Sequence, residues 1–275
     1  MRLGRRLLKS KTIVGIGLFL ILITAMGIFA PWVSPHDPLE TNISLKFQGF
    51  SATYPMGTDH LGRCVLSRLI YGVRTTLYLS ALTMIGTILI GTVLGLLSGY
   101  FKGVVDEIIM RTVDIMLSFP SQIMIFAVIA LLGVDVKNVI MATVLVKWAW
   151  YARMVRTKVL QFRERNFVLY AKCVGSRTSY ILIRHILPNI APEIAVLATL
   201  DMGWSIINIS TLSFLGMGVQ APTPEWGAML SEAKNVMTSN PLQILAPSLA
   251  VVSVVSAFNA FGDALRDVLD PKEVF

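Results

Sequence analysis

The chain alternates between long apolar segments and short polar ones, a pattern typical of a protein that crosses a membrane several times. A helix needs about 20 apolar residues to cross the hydrocarbon core of a bilayer. Six segments reach or approach this length: residues 12–33, 75–101, 114–135, 138–152, 190–213 and 241–262. Because backbone polar groups in lipid must be paired within the protein, these segments predict an all-α membrane protein with six transmembrane helices.

Composition agrees with this pattern. The 275 residues are 55% hydrophobic and only 15% charged, and the mean hydropathy is +0.69, values outside the range of soluble globular domains. A net charge of +8 would suit nucleic acid, but the basic residues cluster at the ends of apolar segments, where they face water and anionic lipid. We therefore expect a multi-pass membrane protein that contacts lipid and does not bind nucleic acid.

The distribution of basic residues predicts the orientation of the chain. One basic segment, with Arg2, Arg5, Arg6 and Lys9, precedes the first span, and another lies between the fourth and fifth spans. The positive-inside rule places both in the cytoplasm, together with both termini. The opposite side receives residues 34–74 and 216–240, although the first of these also contains four basic residues.

The chain divides into two parts in this topology. Residues 1–74 form an N-terminal anchor helix and an external loop, and the first apolar segment is too long for a cleaved signal peptide. Residues 75–275 form a five-helix core that contains a basic cytoplasmic loop at 153–189. Cys64 and Cys173 lie on opposite sides of the membrane and are not expected to pair.

Apolar residues recur at intervals of three and four in the second half of the basic loop, and this rhythm is broken at Gly175-Ser176. The pattern predicts two short amphipathic helices joined by a bend. Pro188 is expected to end the second helix. On periodicity alone, the simplest interpretation is a surface hairpin with a solvated basic face.

Two external segments also carry a pattern. Apolar residues between Leu61 and Val73 share one helical face, which predicts either a helix lying at the membrane interface or a direct entry into the second span. Pro222 and Pro224 restrict the residues before them to extended conformations. They predict a stiff external turn that holds Trp226 at the depth of the lipid headgroups.

Several motifs resemble one family of transport proteins. Ala171, Gly175 and Ile186-Leu187-Pro188, at their spacing, resemble the cytoplasmic loop of importer-type ABC permeases. Residues 57–63 with 67–72 are similar to an external segment of dipeptide, oligopeptide and nickel permeases of the second-subunit type. Further similarities are at residues 212–216, 222–227 and 262–271, and residues 148–156 with 198–201 look closest to nickel permeases. The chain departs from the family at Leu169-Tyr170-Ala171, where an acidic residue and two alanines are usual, and at Cys64, where aspartate is usual.

The resemblance implies an ABC type I importer permease fold and a function. The chain would be the permease subunit of an ATP-driven importer of nickel, a metal chelate or short peptides in the bacterial cytoplasmic membrane. Its partners would be a second permease subunit, two ATPase subunits that use ATP and Mg, and an extracellular or periplasmic substrate-binding protein. The alternative is a secondary transporter or channel without an ATPase partner, but no convincing internal repeat supports it.

The resemblance also implies roles for particular residues. A short helix ending at the Gly175 bend would dock on the ATPase. The residues implied in ATPase coupling are Phe167, Leu169, Tyr170, Ala171, Lys172, Gly175, Arg177, Arg184 and Pro188. The residues implied in external docking of the binding protein are Asp59, Arg63, Pro224, Glu225 and Trp226.

Two charged residues interrupt predicted spans. Lys147 lies in the fourth and Asp201 in the fifth, and each costs about 2.5–3.5 kcal/mol at a helix centre on insertion scales. They either line the translocation path or form a pair that only holds the two spans together. We favour the structural role, because the two charges lie at different fractions of their spans and Lys147 can extend toward the inside.

No catalytic or metal site is expected in the chain. It contains no phosphate-binding loop, nucleophile elbow or zinc-protease helix, so ATP hydrolysis would belong to other subunits and no cofactor is expected on this chain. The three histidines, His36, His60 and His185, are too scattered for a metal site. Glycines at about every fourth position from Gly86 to Gly99 predict close helix packing, either within the chain or against a second permease subunit.

Overall fold

The computed structural model describes residues 11–269. The basic residues from Arg2 to Lys9 and the end of the C-terminal motif, Asp270-Pro271, lie outside the described residues. Residues 11–269 contain no β-strand beyond an isolated bridge between Thr58 and Cys64. The predicted all-α architecture is therefore confirmed for this part of the chain.

Eleven α-helices follow one another along the described chain. Their bounds are α1 Lys11–Ile28, α2 Ala30–Val33, α3 Val65–Phe101, α4 Gly103–Ser118, α5 Ser121–Leu132, α6 Val136–Arg163, α7 Asn166–Cys173, α8 Thr178–Tyr180, α9 Leu187–Phe214, α10 Trp226–Lys234 and α11 Leu242–Leu269. A 3-10 turn occupies Ile43–Leu45, and a π-helical segment, Ile181–Ile186, joins α8 to α9.

Four helical segments are long and apolar enough to cross a membrane: Lys11–Ile28, Val65–Phe101, Thr178–Phe214 and Leu242–Leu269. A fifth span is formed if α4 and α5, which meet at an angle of 93°, count as one broken segment. Helix α6 contains the fourth predicted span, but Lys147 and Arg153 lower its apolar character and it is not among the candidates. The count of six spans therefore stays a prediction.

The third predicted span is not a straight helix. Helix α4 ends at Ser118, and Phe119 adopts an extended conformation with φ −106° and ψ 145°. Phe119 precedes Pro120, whose ring disfavours the helical region for the residue before it. Only the 12 residues of α5 follow the bend, about 18 Å of helix at 1.5 Å per residue. Residues 114–135 therefore do not form one continuous helix, and the third span stays a prediction.

The second span begins earlier than predicted. Helix α3 starts at Val65 instead of Thr75 and runs without a break for 37 residues. The amphipathic part of the external loop is thus a direct entry into the span, as one of the two interpretations proposed. The predicted division between residues 74 and 75 falls inside this helix.

The chain forms two compact units. The first contains the described residues up to Leu82, Val134–Val139, and those from Thr199 onward. The second contains Thr83–Gly133 and Ile140–Ala198. The external segments of the predicted topology belong to the first unit, and the basic loop belongs to the second.

Glycines of α3 bring it close to α6 inside the second unit. A Cβ atom on Gly95 would lie 2.6 Å from the Ala152 carbonyl oxygen, and one on Gly99 would lie 2.7 Å from the Val159 Cβ. Any larger residue would therefore force the two helices apart. The glycines at about every fourth position therefore allow close packing within the chain, which is one of the two interpretations given for this pattern.

Candidate functional site

The bend in the basic loop is a helix C-terminal motif built on Gly175. The Ser176 amide donates to the Ala171 carbonyl and the Gly175 amide donates to the Lys172 carbonyl, both at 3.0 Å. Gly175 has a φ of +77°, a left-handed conformation that glycine adopts without steric cost. The predicted bend is confirmed, and the glycine is needed for its backbone conformation.

One face of α7 is anchored in the core of the second unit. Val168 and Ala171 are buried against residues of α3, α6 and the π-helical segment. Ala171 is only 4% exposed, so it faces the interior of its own unit. The amphipathic character predicted for this helix is confirmed.

The opposite face of the loop is exposed and apolar. We call it the loop face and define it by Phe167, Tyr170, Val174 and Tyr180, all of which are exposed. Tyr170 is 70% exposed. The four side chains line an open groove together with His185, whose ring lies 5.3 Å from the Tyr180 ring between centroids. Exposed apolar side chains grouped in this way make the loop face a candidate contact surface.

The loop segment that carries the loop face is positively charged. Residues 166–189 contain Lys172, Arg177 and Arg184 but no aspartate or glutamate. The Lys172 ammonium lies 4.9 Å from the centre of the Tyr100 ring. Burial lowers the pKa of Lys172, and the nearby cations Arg163 and Lys102 lower it further.

Pro188 does not end the second helix, contrary to the sequence prediction. The chain is helical from Thr178 to Phe214, and Pro188 is the second residue of α9. A proline ring normally clashes with the carbonyl four residues earlier. The π-helical segment directly before α9 widens the turn, with the Leu187 amide donating to the Leu182 carbonyl, and so accommodates the ring.

A cluster of four charged side chains lies in the first unit. The Arg63 guanidinium donates to Asp59 Oδ2 at 2.6 Å and to Glu232 Oε2 at 2.7 Å. The Arg68 guanidinium donates to the same Glu232 oxygen at 2.9 Å and lies 3.5 Å from Asp59 Oδ2. The two arginine side chains are 2% and 1% exposed. This charge cluster ties α10 to the segment before α3.

Glu225 and Trp226 begin α10 inside the first unit. The Glu225 carboxylate caps the helix by accepting from the Ala228 amide at 2.9 Å, and it also accepts from the Thr76 hydroxyl at 3.0 Å. The Trp226 indole donates to the Leu69 carbonyl at 3.1 Å, and its ring packs directly against Gly72. Trp226 is 1% exposed, so its predicted position among the lipid headgroups is wrong.

The five residues implied in external docking share one property, which is burial. Asp59, Arg63, Pro224, Glu225 and Trp226 are all buried in the first unit. In this conformation they support the exposed residues around them and do not themselves form the external surface. Their role in docking a binding protein stays a prediction.

Comparison with known proteins identifies the family. Residues 91–274, more than half of the chain, match the family model described as binding-protein-dependent transport system inner membrane component. The chain belongs to this family. Residues 2–49 match a second model, the N-terminal TM domain of oligopeptide transport permease C. The permease is thus an integral membrane protein of the ABC importer type, as its motifs indicated.

Curated relatives extend the similarity over nearly the whole permease. The dipeptide transport system permease protein DppC of Alkalihalophilus pseudofirmus is 42% identical over 98% of the chain and 88% of its own length. The metal-staphylopine import system permease protein CntC of Staphylococcus aureus is 43% identical over 98% and 93%. The nickel transport system permease protein NikC of Escherichia coli is 38% identical over 96% of each. The nickel permease is not more similar in sequence to this chain than the dipeptide and metal-staphylopine permeases are.

The permease also brings three potential metal ligands together. Ligand atoms of Asp59, His60 and Glu232 lie within 4.8 Å of one another. Sequence spacing could not reveal this group, because Glu232 lies far from the other two in the chain. Arg63 and Arg68 already pair with both carboxylates, so a divalent cation would meet two positive charges there.

Lys147 and Asp201, the two charges inside predicted spans, belong to different compact units. Lys147 lies in the second unit and Asp201 in the first. Both the pairing and a role in the translocation path stay predictions.

The stability of the permease is expected to fall as Glu225 ionises. Burial raises the pKa of this carboxyl, against the hydrogen bonds that favour its charged form. At pH values between the ordinary carboxyl pKa and the raised pKa, the folded protein keeps a proton on Glu225 that the unfolded chain has released. The free energy of unfolding therefore decreases as pH rises through this range. Glu225→Gln should remove this part of the pH dependence of Tm, measured in detergent between about pH 4 and 8.

The matched control for this prediction is Glu40→Gln. Glu40 is an exposed carboxylate of the same unit, and its replacement should leave the pH profile of Tm unchanged. A Glu225→Gln profile that is parallel to that of the wild type would contradict the prediction.

Proposed function

We propose that the chain is the transmembrane permease subunit of an ATP-driven importer and that its loop face docks on the ATPase. The observation that carries the proposal is the division of α7 into two faces. One face is fixed in the core through Val168 and Ala171, and the other presents exposed apolar side chains on the outside of the unit. Such an arrangement suits a helix that receives force from a partner.

The helical path beyond the loop supports a mechanical role. Residues of the π-helical segment, among them Ile181 and Ile186, pack in the same core as α7. This segment continues without a break into α9. A displacement of the loop face would therefore pass into a candidate spanning segment as a rigid-body motion.

Charge specifies the kind of surface that the loop face would meet. Arg177 and Arg184 flank it, and the acidic residue usual in the family is replaced by Leu169. An apolar groove with an acidic rim on the ATPase would complement this pattern. Association would then weaken as salt concentration rises, because exposed charges are screened.

The remaining parts of the proposal follow from the family. The importer would contain a second permease subunit, two ATPase subunits that use ATP and Mg, and an external substrate-binding protein. The chain would lie in the bacterial cytoplasmic membrane with both termini in the cytoplasm. The names of the relatives favour small peptides, nickel or a metal chelate as cargo.

Cys173 offers a direct test of this function. Its thiol is free and exposed at the end of α7, whereas Cys64 is buried. A membrane-impermeant maleimide should label Cys173 in inverted vesicles but not in right-side-out vesicles. Addition of the ATPase subunits should protect it. Cys64→Ser leaves Cys173 as the single thiol, and Cys173→Ser supplies the unlabelled control.

Each other outcome of this test overturns a stated part of the proposal. Labelling of Cys173 from the outside reverses the topology. Labelling from the inside without protection by the ATPase subunits removes the docking role of the loop face. Substrate uptake that continues without any ATPase would establish the alternative, a secondary transporter or channel.

A further inference from the structure

An apolar groove opens between α1, α2 and α3 in the first unit, far in sequence from the loop face. It has a volume of about 770 Å³, and its lining includes Trp32, Arg74, Leu77, Tyr78 and Phe258. A second groove of about 350 Å³ continues along α1 as far as Leu20. The two grooves share four lining residues, Thr24, Ile28, Phe29 and Phe258.

The length of the combined groove matches one acyl chain. Leu20 and Trp32 lie 12 residues apart in a nearly continuous helical stretch, which corresponds to about 18 Å at 1.5 Å per residue. Half of a hydrocarbon core of about 30 Å is about 15 Å. A groove of this length would reach from the membrane surface to about the middle of the bilayer.

The mouth of the groove has the chemistry of the lipid headgroup region. Trp32 is 78% exposed and Tyr78 is 65% exposed, and both residue types concentrate at the membrane–water interface. Arg74 is exposed beside them, and within residues 11–269 no carboxylate pairs with it. A guanidinium in this position is suited to a phosphate group.

The lining also distinguishes between classes of headgroup. Neither groove is lined by an aspartate or glutamate. The phosphate of either class of phospholipid would meet Arg74, but the added ammonium of a zwitterionic headgroup would lie near the guanidinium without an acidic partner. The charge at the mouth therefore favours an anionic headgroup.

We propose that this groove is a binding site for an anionic phospholipid of the phosphatidylglycerol type. One acyl chain lies along α1 from Ile28 toward Leu20, and the phosphate contacts Arg74 between Trp32 and Tyr78. The bound lipid fills the space that α1 and α3 leave open beside their close contact, where Gly27 meets Val73. This site is independent of the proposed ATPase docking.

The amount of each lipid that the protein retains tests the proposal directly. The full-length chain, alone and in its assembled transporter, would be reconstituted in nanodiscs of phosphatidylglycerol mixed with phosphatidylcholine and then analysed by native mass spectrometry. The wild type should retain phosphatidylglycerol in preference to phosphatidylcholine. Arg74→Gln should weaken this retention by about fivefold, the effect of one basic residue on an anionic lipid.

Two further variants separate the headgroup from the acyl chain. Ala81→Phe places a ring in the groove and should displace lipid of either class. Lys46→Gln removes an exposed charge elsewhere in the first unit and should leave lipid retention unchanged. Lys46→Gln should keep the Tm of the wild type, and the Tm of Ala81→Phe shows whether the added ring disturbs the fold.

Three results would overturn the proposal. Equal retention of both lipids would show that the headgroup is not recognised. Wild-type retention by Arg74→Gln and Ala81→Phe would place the lipid elsewhere. Lipid that is bound by the isolated chain but absent from the assembled transporter would show that the groove is an interface between subunits.

Discussion

Tyr170→Asp is expected to abolish association with the ATPase subunits and ATP-dependent uptake, while the permease still inserts and folds. Tyr170 is 70% exposed at the centre of the loop face, so its loss leaves the core intact. Central aromatic residues of an interface commonly contribute 2 kcal/mol or more, about 30-fold in affinity. A carboxylate buried in the contact adds a desolvation cost. Copurification and uptake in sealed vesicles measure the two effects.

Matched variants distinguish docking from folding. Tyr170→Phe keeps the ring and should retain association. Ser179→Asp introduces the same charge at an exposed position outside the groove and should have a small effect. Ala171→Glu, by contrast, places a charge in the core and should lower Tm. Full association of Tyr170→Asp with the ATPase would remove the loop face from the coupling mechanism.

The second large effect is expected at the charge cluster of the first unit. Glu232→Ala leaves Arg63 and Arg68, two buried guanidiniums, with Asp59 as their common partner. Removing one partner of a buried ion pair costs about 3–5 kcal/mol, because the remaining charge stays desolvated. The Tm in detergent should fall, and protease should cut the segment around residues 57–63 more rapidly.

An exposed ion pair supplies the comparison for this prediction. Glu107 lies 3.9 Å from Arg111, and both side chains are largely exposed. Glu107→Ala should therefore change stability by less than about 1 kcal/mol. If Glu232→Ala and Glu107→Ala lower Tm equally, the charge cluster does not hold α10 in place.

Local signals in the sequence were sufficient for much of the fold. The apolar segments predicted the spanning helices α1, α3, α9 and α11, and Gly175 predicted the bend after α7. The break at Pro120 was not predicted, although the residue before a proline avoids the helical region. The prediction that Pro188 ends the second helix was wrong, because residue preferences do not indicate a π-helical turn that can accommodate a proline.

Contacts between distant residues could not be predicted in the same way. Arg63 and Arg68 meet Glu232 across 169 and 164 residues, a separation over which helical periodicity carries no information. Trp226 was placed at the membrane surface because the space above Gly72 is visible only in the folded chain. The sequence predicted the amphipathic helix before Gly175, but only the structure shows that Ala171 points inward and Tyr170 outward.

The helical run that begins at Thr178 contains two features at which helices bend, the π-helical segment and Pro192. Both belong to the second unit, as does the loop face. The loop face is thus joined to α9 through a short stretch that can pivot. A push on the loop face would tilt the part of α9 beyond these points as one piece, and replacing Pro192 with alanine would stiffen the connection.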